Sequence, residues 1–311
     1  MSVLLLLPEI PEYDLMRGKF AEALNVRDQE EYFIWPETGP LEDIEAVLCW
    51  HPPEGFLAGL PNLKLITSSG AGIDHLLKDP ALPADVPVCR FINTRFALEM
   101  AKHVCGVILS RQHRLLDYRE YQAARHWQQR FPRAGQNITV LGMGNLGLAT
   151  AKQLQLLGYN VTGWSRSAKE LDDITHLHGQ DQLNDAVADA DYVVCLLPLT
   201  SSTKGILNKN LFKHMQKGAY LVNVGRGSHL VEEDLLDALG QGHLGGAALD
   251  VFETEPLPED HYFWSHPAIF ITPHIASLTL PDEMIGQFMD NLTRLKNNQP
   301  LINQVDITNE Y

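Results

Sequence analysis

Residues 138–147 read Ile-Thr-Val-Leu-Gly-Met-Gly-Asn-Leu-Gly, and no other feature of the chain restricts its fold as much. An apolar, β-branched run stops at Gly142, Gly144 and Gly147 and passes straight into Leu148–Leu157, whose apolar residues recur at helical spacing. Gly158 then ends the helix, and Tyr159–Trp164 supplies a second strand. Glycines at these three offsets between a strand and a helix have separate uses. Gly142 allows a tight turn, Gly144 lets the backbone approach a pyrophosphate closely, and Gly147 lets the helix pack against the strand. The phosphates would rest on the helix N-terminus, where unpaired N–H groups and the helix dipole favour an anion. The motif therefore predicts a dinucleotide-binding βαβ unit.

The end of the second strand bears on which dinucleotide is bound. NAD sites usually carry an acidic residue about 20 positions past the glycines, on the ribose hydroxyls. This chain has Trp164-Ser165-Arg166-Ser167 there. A guanidinium and hydroxyls can hold a 2′-phosphate that a carboxylate would repel, so NADP(H) is the expected preference, with NAD(H) possible. A solvent-exposed Ser-Arg-Ser turn without a ligand is the other reading of the same residues.

Apolar runs alternate with helical patterns along all 311 residues, which predicts α/β architecture with parallel sheets. Strands are expected at Val3–Leu7, Ala46–Cys49, Leu63–Ser68 and Pro87–Ile92, followed by a long helix from about Phe96 to Ala124. After the glycine turn come Tyr159–Trp164, Tyr192–Leu196, Ala219–Val224, Ala247–Val251 and Ile269–Thr272. The last helical pattern, Pro281–Leu295, leaves enough chain to return to the first part. A discontinuous substrate domain, 1–102 with 275–311, around a dinucleotide domain, 103–274, is the expected division.

A net charge of −15, with no run of Lys or Arg, argues against a nucleic-acid partner. Val3–Leu7 is too short for a membrane span or a signal-peptide core and is expected to be a buried strand, so no membrane partner and a cytoplasmic location are expected. Cys49, Cys89, Cys105 and Cys195 lack metal or disulfide spacing, and the 13 histidines form no ligand motif, so no metal is expected.

Three further segments fall at the ends of predicted strands, where open α/β sheets bind ligands. They are Leu221-Val-Asn-Val-Gly-Arg-Gly227, Ala248-Leu-Asp-Val-Phe-Glu-Thr-Glu-Pro256 and Ile271-Thr-Pro-His-Ile-Ala-Ser277. Taken singly, each also fits a structural role, as a surface ion pair, a helix cap or a core histidine. Taken together on successive strands, they supply the parts of a hydride-transfer site.

With these motifs on view, the chain resembles the D-isomer-specific 2-hydroxyacid dehydrogenase family. The resemblance rests on Gly70-Ala-Gly-Ile-Asp74, the glycine turn, Leu197-Pro-Leu-Thr200, Asn223-Val-Gly-Arg-Gly227, Leu249-Asp-Val-Phe-Glu-Thr-Glu-Pro256 and Pro273-His-Ile-Ala-Ser277, in the family's order. Trp50-His-Pro-Pro53, the Ser-Arg-Ser turn and Gln304-Val-Asp306 are similar to a bacterial glyoxylate/hydroxypyruvate reductase branch. Lys102, where many relatives carry Glu, is a local departure. The resemblance implies two doubly wound parallel-sheet domains, a Rossmann nucleotide-binding domain and a flavodoxin-like substrate domain, with a cleft between them. It implies Arg226, Glu255 and His274 as catalytic residues, with Asp250 near the nicotinamide. The implied cofactor contacts are Gly142, Met143, Gly144, Asn145, Leu146 and Gly147 in the turn, and Trp164, Ser165, Arg166 and Ser167 after the second strand. Leu197, Pro198, Thr203, Val224, Gly225, Arg226, Asp250, His274 and Ser277 complete that set. A homodimer acting on a small 2-keto or 2-hydroxy acid, glyoxylate and hydroxypyruvate first, is the implied assembly and reaction.

The chemistry of those residues supports the same roles. Reducing a 2-keto acid needs an acid over the carbonyl oxygen, which suits His274, and Glu255 on the far ring nitrogen would fix its tautomer and favour the protonated ring. Arg226 would hold the carboxylate and carbonyl oxygen, and the backbone N–H groups of Ala71 and Gly72 would serve the other side of the carboxylate. Trp50 and Trp127 are candidate walls of a small-substrate pocket, one of the two from a neighbouring subunit, with plain core or interface as the other reading; His51 and His103 are better read as packed structural histidines. A reductase of bulkier 2-keto acids is the alternative within the enzyme class. A non-catalytic nucleotide sensor is the alternative outside it, and it has no use for a proton donor with an orienting carboxylate.

Overall fold

The computed structural model describes residues 2–7, 11–25 and 31–309. The chain divides into two compact units, Met1–Asn93 with Thr279–Tyr311, and Thr94–Leu278. Both are parallel sheets with helices, an α/β fold.

In the first unit the strands are β1 (Ser2–Leu6), β2 (Tyr32–Ile34), β3 (Ile44–Cys49), β4 (Leu65–Ser68) and β5 (Val88–Arg90), ordered β2-β1-β3-β4-β5 and all parallel. β1 and β3 are nearly continuous apolar runs because a parallel sheet is covered on both faces; Leu4, Leu6, Val47, Cys49 and Ile66 belong to one core cluster. The helix Pro281–Lys296 buries Met284, Ile285, Phe288 and Leu292, a spacing that forms one helical stripe. Past it, Val305 N–H donates to Val88 O at 2.9 Å and Arg90 N–H to Asn303 O at 3.1 Å, so the end of the chain covers the β5 edge.

In the second unit, β6 (Asn137–Leu141), β7 (Asn160–Ser165), β8 (Thr175–His178), β9 (Tyr192–Cys195), β10 (Tyr220–Asn223), β11 (Gly246–Leu249) and β12 (Ile269–Ile271) are ordered β12-β11-β10-β9-β6-β7-β8, again all parallel. The order reverses between β6 and β9, and sheets of this kind bind ligands at the C-terminal ends of the strands beside such a switch point. The helix Thr94–Gln112 packs on the helix Asn145–Leu156, and its Met100, Val104, Val107 and Ile108 enter the core beside Val140 and Val194.

Several expectations change. The predicted helix Phe96–Ala124 is two helices, Thr94–Gln112 and Leu115–Ala123, separated at Arg114, whose backbone lies in the left-handed region at φ 59°. The boundaries fall at 93/94 and 278/279, not at 102/103 and 274/275, because Thr94–Gln112 is one unbroken helix committed to the second unit. β2 and β8, absent from the sequence reading, are short edge strands. Among the described residues no helix is long and apolar enough to cross a membrane, and no group of His, Cys, Asp and Glu could hold a metal ion. All four cysteines are free and buried; burial pushes the thiols of Cys49, Cys89 and Cys195 up to about 12 and that of Cys105 to about 11.

Candidate active site

The glycine turn fits a dinucleotide. Gly142 has φ +101°, and a Cβ there would lie 2.6 Å from Leu196 O. A Cβ on Gly147 would lie 1.7 Å from Gly142 O, so helix and turn are in backbone contact. At Gly144 an added Cβ would meet nothing within 4 Å: the backbone faces open space at the start of a 12-residue helix whose N-cap has no side chain. That space and the first-turn N–H groups of Asn145, Leu146 and Gly147 suit a pyrophosphate. The Met143 side chain is buried against Gly163, and the residue's carbonyl accepts from Lys169 Nζ at 2.7 Å.

At the end of β7, Ser165 is nearly buried while Arg166 and Ser167 are exposed. Ser165 Oγ donates to Ser167 O at 2.9 Å and lies 2.8 Å from His176 Nε2. Trp164, expected at the cofactor, is instead a core residue, and its indole N–H donates to Gly179 O at 2.9 Å. Leu197, Thr203 and Val224 are buried, Leu197 with its backbone against Gly142, and Pro198 O accepts from Thr203 Oγ1 at 2.7 Å. Ser277 Oγ donates to Phe96 O at 2.8 Å.

The three proposed catalytic residues leave the ends of β10, β11 and β12, which are neighbours in the sheet. Arg226 follows β10, half-buried, its Nη1 donating to Gly225 O at 2.8 Å. Gly227 must lack a side chain, since a Cβ would lie 1.8 Å from the Phe252 carbonyl carbon; this close approach brings the Arg226 loop onto the segment leading to Glu255. Glu255 Oε1 accepts from Phe252 N–H at 2.9 Å, and Oε2 lies 2.6 Å from His274 Nδ1. A carboxylate can only accept, so Nδ1 carries the hydrogen and Nε2 is the outward nitrogen. Burial alone would raise the Glu255 carboxyl. The hydrogen bond and charge of His274, the Phe252 N–H and the nearby Arg226 charge outweigh it and hold the group below the usual carboxylate range.

His274 stands in the left-handed region at φ 52°, a conformation that needs support in a non-glycine residue. Asp250 supplies it. Its buried carboxylate accepts from Thr272 Oγ1 at 2.5 Å and from the N–H groups of Ile275 and Ala276 at 2.9 Å each, while its carbonyl accepts from His274 N–H at 2.8 Å. Asp250 is thus the anchor of the histidine loop. His103 lies close enough to feel that charge: burial lowers its pKa and Asp250 opposes the shift.

Sequence reasoning passed over His229. Fully buried, it accepts from Arg226 N–H through Nδ1 at 3.1 Å, and its Nε2 lies 3.2 Å from Pro198 O, so it fixes the backbone under Arg226. Its only sequence signal is a histidine three residues past Arg226, which spacing alone does not interpret.

In the first unit, Trp50 and the Gly70–Gly72 turn are brought together: a Cβ on Gly70 would lie 2.9 Å from the Trp50 ring. Trp50 also packs on His75, with ring centroids 4.2 Å apart, and edge-on to His51 at 5.1 Å. Ser68 Oγ donates to Gly72 O at 2.8 Å and shapes the turn that carries Ala71.

A family model described as "D-isomer specific 2-hydroxyacid dehydrogenase, NAD binding domain" matches residues 105–276, more than half of the chain. The chain belongs to the D-isomer-specific 2-hydroxyacid dehydrogenases. It is 41% identical over 290 residues to glyoxylate/hydroxypyruvate reductase A of Serratia proteamaculans, covering 91% of this chain and 92% of the relative. A D-isomer-specific 2-hydroxyacid dehydrogenase of Xanthobacter autotrophicus Py2, solved with NADPH and MES, is 34% identical with a TM-score of 0.90, covering 99% of each chain. The NADPH-dependent glyoxylate/hydroxypyruvate reductase of Sinorhizobium meliloti, solved with NADP and sulfate, is 30% identical with a TM-score of 0.90, covering 100% of this chain and 99% of that one. As a 2-hydroxyacid dehydrogenase this chain is an oxidoreductase.

Proposed function

We propose that this 2-hydroxyacid dehydrogenase reduces small 2-keto acids, glyoxylate to glycolate and hydroxypyruvate to D-glycerate, with NADPH. The observation that carries the reading is the Glu255–His274 pair at 2.6 Å, with Arg226 close enough for its charge to act on Glu255, at the edge of a dinucleotide-binding sheet. The relatives named above support the choice of substrate and nucleotide.

NADPH, when bound against the glycine turn and the Ser165-Arg166-Ser167 end of β7, supplies the hydride. Arg226 binds the substrate carboxylate and carbonyl oxygen through its planar fork and stabilises the charge that develops on that oxygen. His274 delivers its Nε2 proton to the same oxygen, making the hydroxyl, and keeps its Nδ1 hydrogen on Glu255. Glu255 stays anionic throughout, as its lowered pKa allows, and steadies the ring before transfer. Asp250 and His229 act on backbone, holding His274 and Arg226 in register. Trp50 and the backbone of Ala71 and Gly72 are assigned to substrate contact in the first unit.

A homodimer is part of the proposal: Trp127 and Phe131, 94% and 89% exposed, are apolar surface that a second copy would cover. The four buried free thiols suit a reducing cytoplasm. The test is kcat/KM for NADPH and NADH oxidation across glyoxylate, hydroxypyruvate, pyruvate and phenylpyruvate, with the assembly state measured by light scattering. Glyoxylate and hydroxypyruvate with NADPH should lead the panel. A lead for phenylpyruvate would replace the substrate assignment, and no turnover with any 2-keto acid would sink the function.

A further inference from the structure

The end of β7 carries more basic side chains than the Ser-Arg-Ser turn. β8 pairs with it in parallel, Gly163 opposite His176 and Ser165 opposite His178. His176 and His178, two apart on one strand, share a face; their rings are stacked with planes 10° apart and centroids 6.2 Å apart. Lys169, from the loop joining the two strands, reaches the Met143 carbonyl inside the glycine turn, at 2.7 Å. The groups acting on His176 are therefore Ser165 from β7, Lys169 from the loop and His178 from its own strand.

Hydrogen counting at Ser165 gives this cluster a direction. The hydroxyl has one hydrogen, and it goes to Ser167 O at 2.9 Å. The 2.8 Å contact with His176 then needs His176 Nε2–H as donor and the Ser165 oxygen as acceptor. A phosphate dianion arriving at the turn would take the Ser165 hydrogen, while the Ser165 oxygen goes on accepting from His176. A proton on His176 then places a positive charge one hydroxyl away from the dianion. Without an anion that proton is disfavoured: burial first, then the charges of His178 and Lys169, hold His176 below its ordinary 6.5.

We propose that His176, acting through Ser165, is a proton-linked positioning residue for nucleotide choice: it takes up a proton when a 2′-phosphate binds, so the preference for NADP(H) over NAD(H) steepens as the pH falls. The inference rests on the reading of this turn as the 2′-phosphate site, and assigns the pH dependence to a residue outside the Ser-Arg-Ser motif.

The experiment is calorimetric titration of NADP⁺ and NAD⁺ into wild type, His176→Gln and Ser165→Ala, in two buffers of different ionisation enthalpy. His176→Gln keeps an N–H donor for Ser165 but cannot titrate. Divided by the same ratio in His176→Gln, the wild-type ratio Kd(NAD⁺)/Kd(NADP⁺) should rise roughly twofold to fivefold between about pH 8 and about pH 6. Wild type should also take up more protons than His176→Gln on binding NADP⁺, and no more on binding NAD⁺. The second ionisation of the phosphate, near pH 6, is common to all three proteins and cancels in that comparison. Ser165→Ala should lose the extra slope although His176 is present, and it decides the matter alone if His176→Gln does not fold. The same pH slope in wild type and His176→Gln, or an undiminished slope in Ser165→Ala, overturns the proposal while leaving the cofactor reading intact. A wild-type ratio near one at every pH overturns the cofactor reading, and the proposal with it.

Discussion

Glu255→Gln tests the site at its most constrained contact. The carboxylate accepts twice, from Phe252 N–H at 2.9 Å and from His274 Nδ1 at 2.6 Å. An amide has one oxygen and one NH2, so it cannot do both. With the oxygen toward Phe252, the NH2 meets Nδ1 and the ring must become neutral to accept from it. With the oxygen toward His274, the NH2 opposes the Phe252 N–H. A charge-assisted hydrogen bond is worth about 1.5–3 kcal/mol. The paired side chains are 35% and 37% exposed, so solvent screening favours the low end of that range. A loss of about 1.5–2 kcal/mol of transition-state stabilisation corresponds to kcat/KM lower by roughly 10- to 30-fold. The contact that holds Glu255 below the carboxylate range keeps it anionic at neutral pH, so the loss should be felt throughout the neutral range. The assay is initial-rate NADPH oxidation with glyoxylate from about pH 5 to about pH 9, with NADPH affinity followed by fluorescence. A variant within about threefold of wild type would refute the claim that Glu255 works through His274.

Other substitutions probe independent parts of the argument. Arg226→Lys keeps the charge but loses the fork, and should lower kcat/KM by about 100-fold through both constants; a change under about threefold would make Arg226 structural. Gly227→Ala puts a Cβ 1.8 Å from the Phe252 carbonyl carbon and should cost about 3 kcal/mol or more, lowering Tm by roughly 6–12 °C; an unchanged melt would refute the required close approach. Ser165→Asp with Arg166→Ala should lower the NADPH/NADH ratio of kcat/KM by about tenfold or more, and a parent ratio near one would remove the turn from cofactor choice. The folded Glu255 pKa lies below its ordinary 4.5, so its stabilisation is present above that value and is lost as pH falls through the folded one. The urea-midpoint difference between wild type and Glu255→Gln should therefore hold from about pH 7 to about pH 5 and shrink only below the ordinary value; a difference that vanishes by about pH 6 would contradict that sign.

Buried parallel strands and the glycine turn were legible because their constraints are local: a two-sided sheet demands apolar runs such as Val193–Cys195, and a turn with a Cβ 1.7 Å from a carbonyl demands glycine at 147. β8 was not legible, because at a sheet edge Thr175 and His178 are exposed and the segment has no apolar run. The break at Arg114 was hidden because the left-handed residue there is neither Gly nor Asn. At the site, strand-end position marked the three segments and the family resemblance singled out Arg226, Glu255 and His274 within them, whereas the use of Asp250 as anchor of the histidine loop and of His229 beneath Arg226 depends on contacts between segments far apart in the chain. Trp164 shows the converse limit: its place in a motif says nothing about which way its ring faces, and the ring lies in the core.

The strand order of the second unit has a metrical consequence. From β7, which ends at Ser165, to β10, which precedes Arg226, the sheet takes three lateral steps, through β6 and β9. At about 4.8 Å per step the two ends stand roughly 14 Å apart. Backbone hydrogen bonding fixes that interval, and no side chain can lengthen or shorten it. The sheet is in effect a gauge: under the proposed reading, a bound molecule must span that interval to touch both marks at once. With nucleotide recognition proposed at one mark and chemistry at the other, selection could rewrite the lettering at one without recalibrating the other.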